Sequence, residues 1–233
     1  MGKLKGLAKR TVKSANIIGT TQPIRDNFVT DYNQGIAVYV QPPSRRLVNI
    51  NSVGIDVDDD DSNYYGDGLK HAYSGKFFLS FPYVVFRLCY NRSSKGYSGK
   101  YVYRAESLRV AFASQAKPTK LFVPPLFNLD GCLRVCVSLP NLYFDALEEC
   151  MKKCVAVFWS TDFNDSMFDA YGSHYERRSL MGDPRKWQKK TKKQPEWVPN
   201  GRSMKEYNIR MGKFCSAAHI RQGYDDEDAY DDY

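Results

Sequence analysis

Hydrophobic and polar positions alternate with period two along much of the chain, the pattern of half-buried strands. Between residues 26 and 40, Ile36, Val38 and Val40 fall on one side. Gln41-Pro-Pro-Ser44 breaks that pattern, since proline withholds a ladder donor. Residues 47–57 predict one or two further strands around Gly54. The run from Phe77 to Cys89 (FFLSFPYVVFRLC) is strongly apolar and reads as one or two core strands broken near Pro82. A Ser/Gly/Lys-rich segment, 92–100, has the chemistry of a hairpin loop. Tyr101–Tyr103 and Leu108–Phe112 alternate again. Past a stiff Pro124-Pro125 step and a turn cluster of Asn128, Asp130 and Gly131, Leu133, Val135 and Val137 alternate with Cys132, Arg134, Cys136 and Ser138.

After Pro140 the period lengthens. Leu142, Ala146, Leu147, Cys150, Met151 and Cys154 recur at three and four, which predicts an amphipathic helix over 142–154. Residues 155–159 either continue that helix or become extended. Ser160–Asn164 is a polar break.

Charge divides the chain more sharply than hydropathy does. The net charge of +8 is concentrated in blocks. Lys3, Lys5, Lys9, Arg10 and Lys13 stand in the first 13 residues without an acid. Arg185, Lys186, Lys189, Lys190, Lys192 and Lys193 stand together, and the last nine residues hold six acids. Such blocks read as solvated ends. The expected organisation is therefore a basic arm over 1–24, a folded domain over 25–180, a basic extension over 181–221 and an acidic disordered tail over 222–233. Tyr at 17 and Phe at 13 favour a β-rich body. Six cysteines without a signal peptide suit a reducing compartment, so a cytoplasmic protein is expected. No apolar run has the length of a membrane span, so no membrane partner is expected. Gly6 occupies the position where a myristoylation signal needs Ser or Thr.

Cys136 is the first chemical candidate. A nucleophilic or thioester-forming cysteine needs a partly exposed thiolate, and Arg134 two residues away favours one. The competing reading is a packing cysteine, since Cys is among the most buried residue types. Cys132, Cys136, Cys150 and Cys154 form two CxxxC pairs, a loose match to zinc-ligand spacing. Cys150 and Cys154 fall equally well on the apolar stripe of the helix, so no metal is expected. Asp56 and Asp58–Asp61 lack the ligand spacing and closing Glu of a calcium loop. His71, His174 and His219 complete no catalytic arrangement with Cys136, and no phosphate-binding Gly loop occurs. No cofactor is expected. Nucleic-acid contact is a role open to 1–15 and to 185–193, where Trp187 interleaves with six cations as a stacking residue would; Trp187, Trp197 and Tyr207 are alternatively rings that dock parts of the segment past 180 on the body.

The stretch from Leu108 to Asn164 resembles the PRTRC-system protein B family, prokaryotic relatives of ubiquitin-conjugating enzymes. The resemblance rests on Arg109–Ala113 (RVAFA), Lys117-Pro-Thr119, Leu121-Phe122, Pro124-Pro-Leu-Phe-Asn128, a Gly-containing turn, Val135-Cys136, Phe158-Trp-Ser160 and Phe163-Asn164. Upstream, Phe81–Phe86 is similar to the family's earlier strand. No His-Pro pair precedes Asn128. The resemblance implies an α+β fold: a ubiquitin-conjugating-like antiparallel β-meander with flanking helices. It also implies Cys136 as thioester carrier and Asn128 as donor to the oxyanion. The expected function is a component of a prokaryotic, plasmid or phage ubiquitin-like conjugation system that carries or binds a small modifier protein. Its partners would be that ubiquitin-like protein or its activating enzyme. The alternative is a catalytically inactive phage or plasmid protein, structural or nucleic-acid-associated, that keeps the fold for interaction.

Overall fold

Three prolines decide how the alternating segments assemble. The strands β1 (Gln34–Gln41) and β2 (Ser44–Ser52) are separated by Pro42-Pro43; β3 (Tyr73–Phe81) and β4 (Tyr83–Ser94) are separated by Pro82. The antiparallel register runs unbroken through both interruptions. Gln41 pairs with Val84 and Ser44 with Phe81, which sets Pro42 opposite Tyr83 and Pro43 opposite Pro82. One long ribbon therefore bends where the ladder loses its donors. Its halves enter two sheets, one ordered β1-β4-β5 (Tyr101–Ala113)-β6 (Leu121–Phe122)-β8 (Glu206–Tyr207), the other β3-β2-β7 (Phe163–Asn164).

The computed structural model describes residues 34–52, 73–95, 100–126, 128–129, 133–164, 180–207 and 210–214. The arm 1–24, the acidic turn 56–61, Cys132, all three histidines and the tail 222–233 lie outside the described residues. The fold is α+β. When 34–52 and 73–94 are each followed as one bent strand, they and β5 (Tyr101–Ala113) are sequential antiparallel neighbours. The strand β6 (Leu121–Phe122) follows β5 along the same sheet.

Aromatic rings fill the corner. Phe81, the last residue before the Pro82 break, makes edge contacts with Phe112, Trp159 and Trp187. Phe86 meets Phe158 and Trp159 in the same way. Such pairs add about 0.5–1.5 kcal/mol each beyond burial. Trp159 and Phe158 come from α1 (Leu147–Ser160), whose buried stripe is Leu147, Cys150, Met151, Cys154 and Phe158. The helix thus continues through 155–159 but starts five residues later than the apolar spacing suggested. Phe144 explains the delay: it exchanges both backbone hydrogen bonds with Tyr103, at 2.9 Å each, which holds it extended. Leu142 and Tyr143 remain exposed.

The chain past residue 180 joins the same core. The helix α2 (Pro184–Lys193) lies along β3, the outer strand of its sheet. Its side chains take the place of a further strand. Gln188 Oε1 accepts from the Phe78 amide at 2.7 Å, Thr191 Oγ1 accepts from the Ser80 amide at 3.1 Å, and Trp187 Nε1 donates to the Ser80 carbonyl at 3.0 Å. The strand β8 (Glu206–Tyr207) pairs with β6, and the short helix α3 (Met211–Phe214) buries Phe214. Met181, Trp187 and Met204 are core residues as well. The composition change near 180 therefore marks a docked segment with charges on one side, and the hydrophobic core extends past it.

Gly35 lies directly across from Tyr90, and a Cβ at position 35 would overlap the hydroxyl end of that ring. Tyr90 is buried, which raises its phenol to about 12. The ring is 1% exposed and packs edge-on against Tyr103. Gly35→Ala is expected to destabilise by roughly 1–3 kcal/mol, the cost of overpacking. In a Tyr90→Leu background the same change should cost measurably less, read from urea unfolding of the four proteins of the cycle.

Candidate functional site

The loop between β6 and α1 carries both residues singled out by sequence. Asn128 adopts left-handed backbone, φ 68°, which its short polar side chain tolerates. It is 4% exposed, and its carboxamide is engaged at both ends. Nδ2 donates to the Asp162 carbonyl at 2.8 Å, and Oδ1 accepts from the Asn164 amide at 2.9 Å. Asn128 thereby ties the loop to β7 (Phe163–Asn164), which pairs in parallel with β2. Asp162 is itself held by Asn49 and Asn51, whose Nδ2 atoms donate to its carboxylate.

Cys136 lies against the same loop through its backbone. Its amide donates to the Asn128 carbonyl at 2.8 Å, and Leu129 and Val135 form a bridge beside it. The thiol is reduced and half-buried, with Sγ 3.9 Å from the Arg134 carbonyl. The structure thus brings Asn128 and Cys136 together as backbone neighbours, with the Asn128 amide group engaged by residues 162 and 164. A role at an oxyanion would fall to the second N–H of Nδ2, on a side chain held in place by both of these bonds.

The segment around Cys136 is not a strand. Leu133 is fully buried in left-handed backbone, φ 63°, a conformation that costs a non-glycine residue about 1–2 kcal/mol. Only Arg134 and Val135 bridge to neighbours. The expected alternation survives as burial of Leu133 and Val135 around exposed Arg134. The bridge sets Arg134 beside Arg109, and the β4–β5 register sets Arg109 beside Arg87. Three cations occupy consecutive cross-strand positions.

A groove opens next to this loop. The Val135 amide donates to the Leu108 carbonyl, and Phe144 pairs with Tyr103. Between those anchors the loop spends residues 136–143 against only 104–107 of β5, so it bows away. The gap is a cavity of about 290 Å³. Val135, Val137, Leu139 and Pro140 form its apolar wall, and Arg104, Glu106 and Arg134 its polar rim. The register of β5 shifts here, at Cys89/Tyr90 of its partner, which makes Glu106 the extra residue of a bulge. Glu106 Oε1 accepts from Asn91 Nδ2 at 2.6 Å and from Arg104 Nη2 at 2.7 Å, and this contact raises the Arg104 guanidinium further. Tyr103 turns both its backbone groups toward Phe144, so Ala105, two residues on, turns its N–H and C=O toward the groove. Sequence reading missed this site. Its one trace was the break in alternation over 104–107, between the apolar segments 101–103 and 108–112.

Cys150 and Cys154 are both fully buried on α1. Their shared hydrogen bond and their burial push the Cys154 thiol up. Among the described residues no cluster of His, Cys, Asp and Glu is placed to hold a metal ion, and no helix is long and apolar enough to cross a membrane.

Asn128→Ala should cost roughly 2–4 kcal/mol in urea unfolding, because it strands a carbonyl and an amide inside the fold. Cys136→Ala should stay within about 1 kcal/mol. In the native protein, iodoacetamide followed by peptide mapping should label Cys136 while sparing Cys150 and Cys154.

The chain matches no family model, no curated protein and no solved structure.

Proposed function

We propose that this chain is a ubiquitin-conjugating-like interaction module of a prokaryotic, plasmid or phage conjugation system, acting in the cytoplasm. Its groove receives an extended segment of a small modifier protein. One observation carries the reading: beside the Cys136 loop, β5 presents the backbone N–H and C=O of Ala105 to a cavity with an apolar wall. An open sheet edge next to side-chain pockets is the chemistry of strand addition, where main-chain bonds supply affinity and alternate side chains supply selectivity.

A carrier role at Cys136 is the sharper form of the same proposal. It is favoured by the half-buried, reduced thiol of Cys136, which lies in the chain between the groove-lining residues Val135 and Val137. The engaged Asn128 carboxamide weighs toward binding as the primary role, since Asn128 is 4% exposed and its two bonds commit it to holding residues 162 and 164.

Ala105→Pro removes the outward N–H, and its ring falls on the side of β5 away from β4. Leu139→Asp changes the apolar wall. Titration calorimetry against a ubiquitin-like protein encoded beside the chain should show each variant weakening binding at least tenfold. Unchanged affinity in both would contradict the groove as the binding site. Cys136→Ser should leave that affinity intact. In the presence of the activating enzyme it should trap an oxyester stable to reducing agent if Cys136 carries the modifier, and no adduct if it does not.

A further inference from the structure

We infer that the outer face of α2 binds the phosphate backbone of double-stranded nucleic acid, independently of the groove. The sequence of this helix, PRKWQKKTKK, has no acidic residue. Its inner side chains are committed to the β3 edge: Gln188, Thr191 and Trp187 satisfy the backbone of Phe78 and Ser80. Its first amides are committed too, since the Asp183 carboxylate accepts from the Arg185 and Lys186 N–H groups. That anchoring fixes which side faces outward. Lys189, Lys192 and Lys193 are exposed there and form no ion pair among the described residues. Arg185 and Lys186 are exposed on the same helix, three and four residues before Lys189, which makes one continuous stripe. Ten residues span about 15 Å, and duplex DNA carries one charge per roughly 1.7 Å of axis, so the stripe meets several phosphates at once.

The same geometry separates a duplex from other polyanions. A single strand is held by rings on which bases stack. Trp187, the ring that suggested stacking in the sequence, is 1% exposed and hydrogen-bonded to Ser80. Trp197 is half-buried, and the Lys190 ammonium lies 5.9 Å from its centroid. A helix that lies in a membrane surface needs an exposed apolar face. The apolar residues of α2, Pro184 and Trp187, are buried against the sheet. What remains outward is charge alone, which recognises a phosphate backbone without reading sequence.

The test uses the full chain and a fluorescein-labelled 20-base-pair DNA duplex of arbitrary sequence, with anisotropy followed across a salt series. The triple variant Lys189→Glu/Lys192→Glu/Lys193→Glu alters only exposed side chains, so its circular dichroism and melting temperature should match the parent. Binding is expected to weaken at least thirtyfold at fixed salt. The slope of log K against log salt should become shallower by about 2–3, one step of roughly 0.9 for each lost phosphate contact. An unchanged affinity and slope in the triple variant would overturn the assignment. So would equal or tighter binding of the parent to a 20-nucleotide oligo-dT, or binding to phosphatidylserine vesicles without binding to the duplex.

Discussion

The structure depends on a ladder that stops donating at one place. Pro42, Pro43 and Pro82 meet across an antiparallel ribbon whose register is otherwise continuous from Gln34–Asn91 to Ser52–Tyr73. Without donors the ribbon bends there, and its two halves diverge into different sheets. The angle between them exposes ring-bearing side chains of both sheets to the same space. Phe81 from one side, Phe86 and Phe112 from the other, and the rings of α1 and α2 fill it. Both tryptophans that enter the corner also bond to polar groups beside the break: Trp159 Nε1 to Gln41 Oε1, and Trp187 Nε1 to the Ser80 carbonyl. The bend thus fixes where the two long helices can sit.

The position of α1 in turn shapes the loop that carries Cys136. The α1 helix leads into β7, β7 lies on β2, and Asn128 reaches across to the backbone of 162 and 164. The loop is pinned at that end by Asn128 and along β5 by Leu133, Val135 and Phe144. Leu133 in left-handed backbone is a local strain that its full burial offsets. Between Val135 and Phe144 no backbone bond joins the loop to β5 among the described residues, and the groove is the result. Strain, bulge and open edge therefore lie within a few residues of one another, as is common where a fold gives up local regularity for a binding surface.

Much of the fold was legible in the sequence for definite reasons. The prolines at 42, 43 and 82 announced both interruptions, because their missing donors act in any context. The apolar spacing from Leu147 onward announced the buried face of α1. Other features were not legible. The start of α1 depends on Phe144 being taken by Tyr103, a partner forty-one positions away in the chain. The strand reading failed over 133–138 because the Leu133 backbone turns left-handed, which no side-chain pattern shows. Asn128 stands out in the sequence for an amide that would donate to an oxyanion, but its use in the fold depends on where β7 lies. Trp187 read either as a stacking residue amid cations or as a ring docking its segment on the body, and the pattern alone did not choose. Its burial depends on the unpaired edge of β3, which needs the sheet order to be known. The groove needed both a bulge and a loop anchored at two ends, and neither leaves more than a break in alternation.

The central claim is that β5 keeps an open edge at Ala105 beside the Cys136 loop. Amide hydrogen exchange of the free protein, followed by NMR, tests it most directly. Val110, whose N–H donates to the Leu133 carbonyl at 2.9 Å, should be strongly protected, as should Arg104 through its pairing with Asn91 on β4. The Ala105 amide, between them, should exchange orders of magnitude faster than either. An Ala105 amide as protected as Val110 would mean that the edge is already covered, and would contradict the groove on which the functional reading stands.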